Sequence, residues 1–510
     1  MGERRRIMNT LSTRNLSGGT KTLMLIAFSI MTGFMWRVRG DHGWGSMWGM
    51  FAVGVAMMLF IFAFFGNRKK MNYEAIPVAV ILLGITNGGW GTLNSQMGGY
   101  LGSGGDAKSL FSDGLEKIVE ISPWSGFAVM MLLGFGWMPL FALFLGSLFS
   151  KKDYKIKHYI ILIAVYYVSM LAMQAFAAHY ILPLINPQAV EGFKEGLADR
   201  GIDATPLKAY LQHFADDGWA KKIPFGRNYF TSIKVISSAA AALISSLAAL
   251  IVLKDKLVFA LSTAINAICA VAITVADVFL ILDSDRGFCA NINAPKFIVN
   301  CGWSLWEFFT GFLLGFGIML LLICLPKSIT GGEGRFEYEP VIENDKLRAG
   351  FHALLTFVAV FVLTLARPLG GRISEWVAIR GWSDEEELIQ IIIAVVLCVI
   401  AFIPCAIIAK KNCVARGLAI PVKKRVEDFC MVASPSYFAA TAVIYFTASF
   451  NKRTDLITLF KGIKNPSALL ETLKDGGCVI TILMIIALVL FYIFWFAASK
   501  SASKTQVSEE

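Results

Sequence analysis

Charged side chains are scarce in this chain of 510 residues. They make up 16% of the sequence, whereas hydrophobic residues make up 56% and the mean hydropathy is +0.63. Soluble domains carry about 25% charged residues and roughly 45–50% apolar residues. One soluble core has no room for this apolar excess, so the composition excludes a soluble globular protein and indicates a membrane protein.

The sequence also lacks the motifs of nucleotide-dependent and metal-dependent enzymes. No Walker loop, HExxH, GxSxG or dinucleotide-binding pattern occurs in the required context. The nine cysteines are scattered, without a CxxC or Cys/His spacing typical of zinc. ATP hydrolysis by this chain is therefore excluded, and we expect no metal and no cofactor. Cys289 and Cys301 flank one loop, where a disulfide and two unoxidised thiols are both open interpretations.

Long apolar runs recur along the whole chain. A run of about 18 or more apolar residues can cross a hydrocarbon layer of about 30 Å as a helix. The sequence predicts twelve such spans, at 22–36, 47–66, 75–93, 126–149, 158–184, 234–253, 257–282, 298–325, 347–366, 386–409, 431–450 and 475–498. We therefore predict an all-α polytopic integral membrane protein, a bundle of about 12 transmembrane helices. The first span is the shortest because Arg37 interrupts it.

The lysines and arginines predict the orientation in the cell membrane. Short cytoplasmic loops are enriched in these residues. If the N-terminus lies inside, the inner segments hold more of the 47 lysines and arginines than the outer segments do. Both termini are then cytoplasmic, with a basic tail at 1–21, a single transmembrane bundle at 22–498 and a second tail at 499–510. Basic inner loops facing an anionic leaflet explain the net charge of +11, so no nucleic-acid partner is expected. The expected partner is the lipid bilayer, and the oligomeric state stays open.

One connection, 185–233, is much longer than the others and lies outside the cell in this topology. It mixes helix formers with proline and glycine, which break it into pieces. We expect one or two short helices that cover the outer face as a lid or cap.

Tryptophan is unevenly placed. Ten of the twelve tryptophans map to outer loops or outer span ends, namely Trp36, Trp44, Trp48, Trp90, Trp124, Trp219, Trp303, Trp306, Trp376 and Trp382. An interfacial belt normally marks both leaflets. Tryptophan rings also stack on sugars or cations, and neighbouring glycines let a ligand approach closely. Interfacial anchoring and a binding surface are the two interpretations.

The stretch RVRGDHGWGSMWGM, 37–50, concentrates polar groups between the first two spans. Arg37 and Arg39 suit a bidentate grip on a carboxylate or phosphate, and Asp41 with His42 suits acid/base chemistry. Its glycines make a regular helix through this corner unfavourable. Arginines that extend toward lipid headgroups are the structural alternative.

Two acidic residues lie inside predicted spans. Asp277 and Glu307 fall at comparable depth in the outer half, where a carboxylate must face a bundle interior or a water-filled cavity. They are candidates for ion coupling or acid/base catalysis. Pairing with Arg286 or backbone at a helix end is the structural alternative. Asn266 and Gln174 lie deeper and suit interhelical hydrogen bonds.

These residues support two hypotheses. The first is a transporter with a Trp/Gly-rich polar site on the extracytoplasmic side. The second is a membrane-embedded transferase, polymerase or ligase acting at the outer face on a lipid-linked or envelope glycan. In both, Asp277, Glu307, Asp41 and His42 supply coupling or acid/base groups. A polar substrate, anionic or glycan-type, small or lipid-linked, is bound by Arg37, Arg39, Trp44, Asn87, Trp90, Asn300, Trp303 and Trp306. An accessory subunit is a third, structural possibility.

Overall fold

The computed structural model describes residues 17–40, 47–65, 123–150, 152, 154–281, 301–325, parts of 434–446, 464–465 and 476–507. Every regular element among them is helical. In chain order the helices are α1 (Gly18–Gly40), α2 (Met47–Phe65), α3 (Pro123–Phe135), α4 (Pro139–Phe149), α5 (Ile156–Phe176), α6 (Leu182–Ile185), α7 (Pro187–Asp199), α8 (Pro206–His213), α9 (Asp217–Lys221), α10 (Gly226–Ile251), α11 (Lys256–Ala276), α12 (Val278–Ile281), α13 (Gly302–Ile323) and α14 (Gly476–Val507). A π-helical segment, Ala177–Ile181, joins α5 to α6.

Six of the described helices are long and apolar enough to cross a membrane, and α3 with α4 makes a seventh if this bent pair is one span. The described residues are all-helical and include helices of membrane-spanning length and composition, which is consistent with the predicted class of an all-helical membrane protein. The predicted spans at 75–93, 347–366 and 386–409 lie outside the described residues, so the count of twelve stays a prediction.

The first helix is longer than its sequence suggested. We expected the first span to end near Trp36, but α1 continues through Arg37 and Arg39 to Gly40. Both arginines lie in its last turn, where a positive charge interacts favourably with the carbonyl end of the helix dipole. Helix α2 begins at Met47, where the second span was predicted to begin, and residues 41–46 of the corner lie outside the described residues.

The chain forms two compact units, and the first consists of 1–84 and 311–510. In this unit α1 packs against α2 and α14. The rings of Phe28 and Phe60 meet edge to face at 5.0 Å between centroids, and Phe60 meets Trp495 at 5.1 Å. The hydroxyls of Thr20 and Ser501 share a hydrogen bond. The start of α1 and the end of α14 thus lie at the same end of this unit.

Two glycines one turn apart on α13, Gly311 and Gly315, let that helix approach α1 closely. A Cβ atom on residue 311 would overlap the Cβ of Trp36 and lie 2.5 Å from the carbonyl oxygen of Thr32. On residue 315 it would lie 2.8 Å from the Thr32 hydroxyl. This spacing of small residues is a common way for membrane helices to pack, because dispersion contacts replace the missing hydrophobic driving force.

The second unit, 85–310, is built around α10 and α11. Helix α10 packs against α5 and α11, and α11 packs against both α3 and α4. Close contacts pair Gly134 with Ala270 and Gly146 with Val258. The α3–α4 pair therefore runs antiparallel to α11.

The segment 182–225 forms a helical cap on the start of α10. We expected one or two short helices in this connection, and the structure has three, α7 to α9, after the single turn α6. Aromatic rings hold them in place, since Phe193 stacks on Tyr229 at 4.8 Å and Tyr210 meets Phe230 at 4.8 Å. This cluster also explains why α10 begins at Gly226, eight residues before the predicted span: its first turns pack against the cap.

At the opposite end of this unit, Asp255 ties two loops together. Its carboxylate accepts hydrogen bonds from the Ser150 and Tyr154 hydroxyls and from the backbone N–H groups of Leu257 and Val258. Burial, and then the negative charge of Asp255, raises the pKa of the Tyr154 hydroxyl well above its ordinary value. The loop after α4 and the loop before α11 therefore lie on the same side, as the predicted topology requires.

We expect Asp255→Ala to lower the unfolding temperature of the purified protein clearly. The change removes four hydrogen bonds, including the N-cap of α11, which together stabilise the fold by about 2–4 kcal/mol. Asp216→Ala is the matched control, because Asp216 caps the short helix α9 through the single N–H of Trp219. Thermal unfolding in detergent measures both, and equal shifts for the two variants would contradict the role of Asp255.

Candidate functional site: a broken helix in the second unit

The second unit contains a helix that breaks in its middle. The axes of α3 and α4 differ by 45°, and Gly136, Trp137 and Met138 join them. Pro139 has no N–H, and proline is tolerated only in the first turn of a regular helix. Helix α4 therefore begins at Pro139. We call residues 136–138 the helix break. The sequence predicted one continuous span at 126–149, and this interruption is a correction to it.

A hydrogen-bonded network satisfies the backbone at the helix break. The Ser238 hydroxyl donates to the carbonyl oxygen of Gly136 at 2.7 Å. The Tyr166 hydroxyl lies 2.9 Å from the same Ser238 oxygen and, since the Ser238 hydrogen is already engaged, acts as the donor. A Cβ atom on residue 136 would lie 2.7 Å from the Ala239 nitrogen, so only glycine fits. Carbonyls released from a helix need such partners in an apolar medium.

The helix break lies halfway along the surrounding spans. Gly136 contacts Ser238, near the middle of the 26-residue helix α10. Two residues earlier, Gly134 contacts Ala270 of α11. Tyr166 lies in α5, the first part of the helical stretch Ile156–Ile185. The break and its polar partners therefore sit at mid-depth of this unit, the depth at which discontinuous helices form substrate sites in transporters.

Asn266 of α11 lies at the level of the helix break. The antiparallel contacts of Gly134 with Ala270 and Gly146 with Val258 place residue 266 beside residue 138. On α11 it lies on the same face as Ala270, which touches α3. Its side chain is fully buried, and neither its amide oxygen nor its amide nitrogen has a hydrogen-bond partner among the described residues. A buried polar group without a partner needs an explanation, and a ligand is one.

The predicted acidic residues both lie in the second unit and are both buried. Asp277 follows α11 directly, and neither carboxylate oxygen has a hydrogen-bond partner among the described residues. Glu307 lies on the first turns of α13. The rings of Phe279 and Phe309 stack at 4.8 Å, which places the segments carrying the two acids side by side.

The predicted arginines lie in the first unit. Arg37 and Arg39 are both nearly fully buried at the end of α1. The guanidinium carbon of Arg39 is 5.4 Å from the ring centroid of Trp36, a cation–π distance.

The other predicted residues divide into two groups. Trp306 is fully buried and Trp303 is the second residue of α13. The remaining predicted residues lie outside the described part of the chain, namely Asp41, His42, Trp44, Asn87, Trp90 and Asn300. Cys301 is buried, and Cys289 is also outside that part, so the disulfide stays a prediction.

Sequence reasoning missed the helix break, and with it Tyr166, Ser238 and Lys234. Lys234 is half-buried one turn before Ser238 on the same face of α10. The signal for the break was the pair Gly136 and Pro139 in the middle of an apolar run. Tyr166 and Ser238 gave no signal in the sequence, because 72 residues separate them.

In the part of the chain that the structure describes, these features define a helical protein with several apolar helices of membrane-spanning length and one bent helix pair. Within the described residues, no group of three or more His, Cys, Asp or Glu side chains is arranged to hold a metal ion. Comparison with known proteins gave no match, whether with protein-family models, curated sequences or solved structures.

Proposed function

We propose that this protein is a multi-pass transporter of the cell membrane that carries a polar substrate through the helix break. In this proposal the bundle has about 12 spans, both termini are cytoplasmic, and the tryptophan-rich and glycine-rich corner is a polar substrate site on the extracytoplasmic side. The observation that carries the proposal is the broken helix α3–α4 at mid-depth, with the buried network of Ser238 and Tyr166 around it.

Membrane physics supports this choice. Non-helical backbone at membrane depth is tolerated only where protein buries it or where it lines a cavity. Transporters use such breaks because the half-helix ends expose backbone groups to a substrate near the bilayer midplane. A continuous helix would satisfy more of its own backbone hydrogen bonds, so the break has a cost in stability that a functional role would explain.

The buried acids supply the coupling step in this proposal. An ionised carboxylate without a partner is costly in a low-dielectric interior. Asp277 therefore holds a proton or a cation in its buried state and releases it when its surroundings open. Glu307 is the second coupling candidate, and Arg37 and Arg39 attract an anionic substrate group at the extracytoplasmic site.

The alternative is an enzyme that acts at the outer face on a lipid-linked or envelope glycan, with Asp41 and His42 as acid and base. Such an enzyme needs a groove open to the outer leaflet rather than a polar path through the bundle. The two functions therefore differ in whether solute crosses the membrane.

Proteoliposomes with a pH-sensitive dye inside provide the test. The purified protein is exposed to a panel of sugars, amino acids and carboxylates, and solute-dependent proton movement and uptake are recorded. Transport by the wild type supports the proposal. No flux for any solute, together with turnover of a lipid-linked sugar, would transfer support to the enzyme.

We expect Ser238→Ala to reduce the uptake rate about tenfold. Its loss leaves the Gly136 carbonyl and the Tyr166 hydroxyl without their shared partner and so disturbs the geometry of the break. Ser237→Ala is the matched control, because the Ser237 hydroxyl donates to the Ile233 carbonyl of its own helix and has no other hydrogen bond among the described residues. Similar rates for both variants would show that the network does not shape the transport path.

A further inference from the structure

We infer that the helix break binds a carboxylate or another small monovalent anion, held by the first backbone N–H groups of α4 and the side-chain amide of Asn266. This inference rests on the proposed function and names the substrate class of the same site. Three observations carry it: the buried start of α4, the buried amide of Asn266, and the sign of the charge around the break.

The start of α4 is buried and has no side-chain cap. Met138 occupies the N-cap position and cannot accept a hydrogen bond as serine or aspartate would. Pro139 has no N–H, so the N–H groups of Leu140 and Phe141 are the first donors of a helix that is buried along its whole length. Such donors have no acceptor within their helix, and together with the helix dipole they attract an anion.

Asn266 provides the second, independent contact. Its level on α11 matches residue 138, and it lies one turn from Ala270, which contacts α3, and one turn from Ser262, which contacts α10. Since both its polar atoms are buried without a partner in the described part of the chain, its NH₂ group is available to donate to a ligand. The same ligand can satisfy the α4 N–H groups and this amide.

The charge around the break has one sign. Among the described residues, the helices that pack around it are α3, α4, α5, α10 and α11, and none of these contains an aspartate or glutamate. Lys234 adds a positive charge one turn from Ser238. Electrostatic attraction is strong in an interior of low dielectric, so the site favours an anion over a cation. The helix end contributes only a partial positive charge, which suits a ligand with a single negative charge.

Acetate is the probe for a binding test on the full-length protein in lipid nanodiscs. The unfolding temperature is measured against sodium acetate at constant ionic strength, with a bulky sulfonate as the balancing anion. A saturable rise is expected for the wild type. Asn266→Leu should weaken the apparent acetate affinity at least about tenfold, since a hydrogen bond to a charged group is lost. Its unfolding temperature without acetate should not fall, because an unpartnered buried amide is removed.

Two further variants sharpen the test. Ser262→Ala is the control, because Ser262 lies one turn from Asn266 but bonds to Ser246, and its acetate affinity should equal that of the wild type. Lys234→Gln should weaken acetate binding severalfold while leaving the protein folded. An unchanged affinity in Asn266→Leu, or no saturable response in the wild type, would overturn the inference.

The two proposals fail in different ways. Acetate binding that depends on Asn266, without any solute flux in vesicles, would keep the anion site and remove the transport function. Flux of uncharged solutes without acetate binding would keep transport and remove the anion site.

Discussion

Gly134→Val is expected to prevent stable assembly of the second unit. A Cβ atom on residue 134 would overlap the Ala270 Cα and lie 2.8 Å from the Cys269 carbonyl oxygen. These are backbone atoms of α11, so no side-chain rotation relieves the overlap and the helices must separate. We expect a loss of about 3 kcal/mol or more in the free energy of unfolding. The fraction of protein that stays monodisperse on size-exclusion chromatography after heating measures the effect.

Gly146→Ala is the matched control for this experiment. It lies on α4 against the same helix α11, but a Cβ atom there would meet Val258 and Leu261 at 3.4–3.5 Å, which is an ordinary packing distance. Its stability should remain close to that of the wild type. If Gly134→Val were as stable as Gly146→Ala, α3 and α11 would not be in close contact at this level.

Asp277→Asn is expected to abolish proton-coupled uptake without destabilising the protein. The amide keeps the shape of the carboxyl group but carries no exchangeable acidic proton at this site. Removing a fully buried acid without a hydrogen-bond partner among the described residues also removes a source of instability, so the unfolding temperature should stay the same or rise. Exchange of labelled solute across vesicles should persist while solute-driven proton movement is lost.

Glu191→Gln is the control for the acid substitution, because Glu191 is an exposed residue whose partner is Lys194 on the next turn. It should transport protons and solute as the wild type does. Glu307→Gln then decides how the two buried acids share the role. Normal proton movement in both Asp277→Asn and Glu307→Gln would show that neither acid couples protons and that their role is structural.

Long apolar runs predicted the positions of helices most reliably, because the thickness of a bilayer fixes the length of a membrane-spanning helix. The predicted span 158–184 corresponds to a helical stretch at Ile156–Ile185, and 257–282 corresponds to α11 with α12. The end of α1 was harder to predict. A charged residue normally ends a span, but the nearly complete burial of Arg37 and Arg39 lets the helix continue.

Backbone direction inside an apolar run could not be predicted in the same way. The hydropathy of a segment is the same whether its helix is straight or bent by 45°. Gly136 and Pro139 therefore did not change the predicted length of this apolar run. The start of α10 was misplaced for a related reason. Its first turns pack against the helical cap, and the local sequence does not predict the contact of Tyr229 with Phe193.

The candidate site was predictable only where single residues are unusual for their surroundings. Asp277 and Glu307 stood out because acids are rare in apolar spans. Asn266 stood out less, since asparagine often joins helices. Ser238 and Tyr166 are common residues whose importance comes from meeting at the Gly136 carbonyl, and such long-range contacts exist only in the folded chain.

The division of the chain into two units has a consequence for biosynthesis. The second unit is continuous in sequence, so all of it has been made once residue 310 has been synthesised. The first unit is split, and α1 and α2 must wait for the last 200 residues, including α14, before their own packing is complete. At about 5–20 residues per second, synthesis of residues 311–510 alone takes roughly 10–40 seconds after the second unit has been made. During that interval the surface of α1 that later packs on α14 depends on lipid or an insertion chaperone for cover.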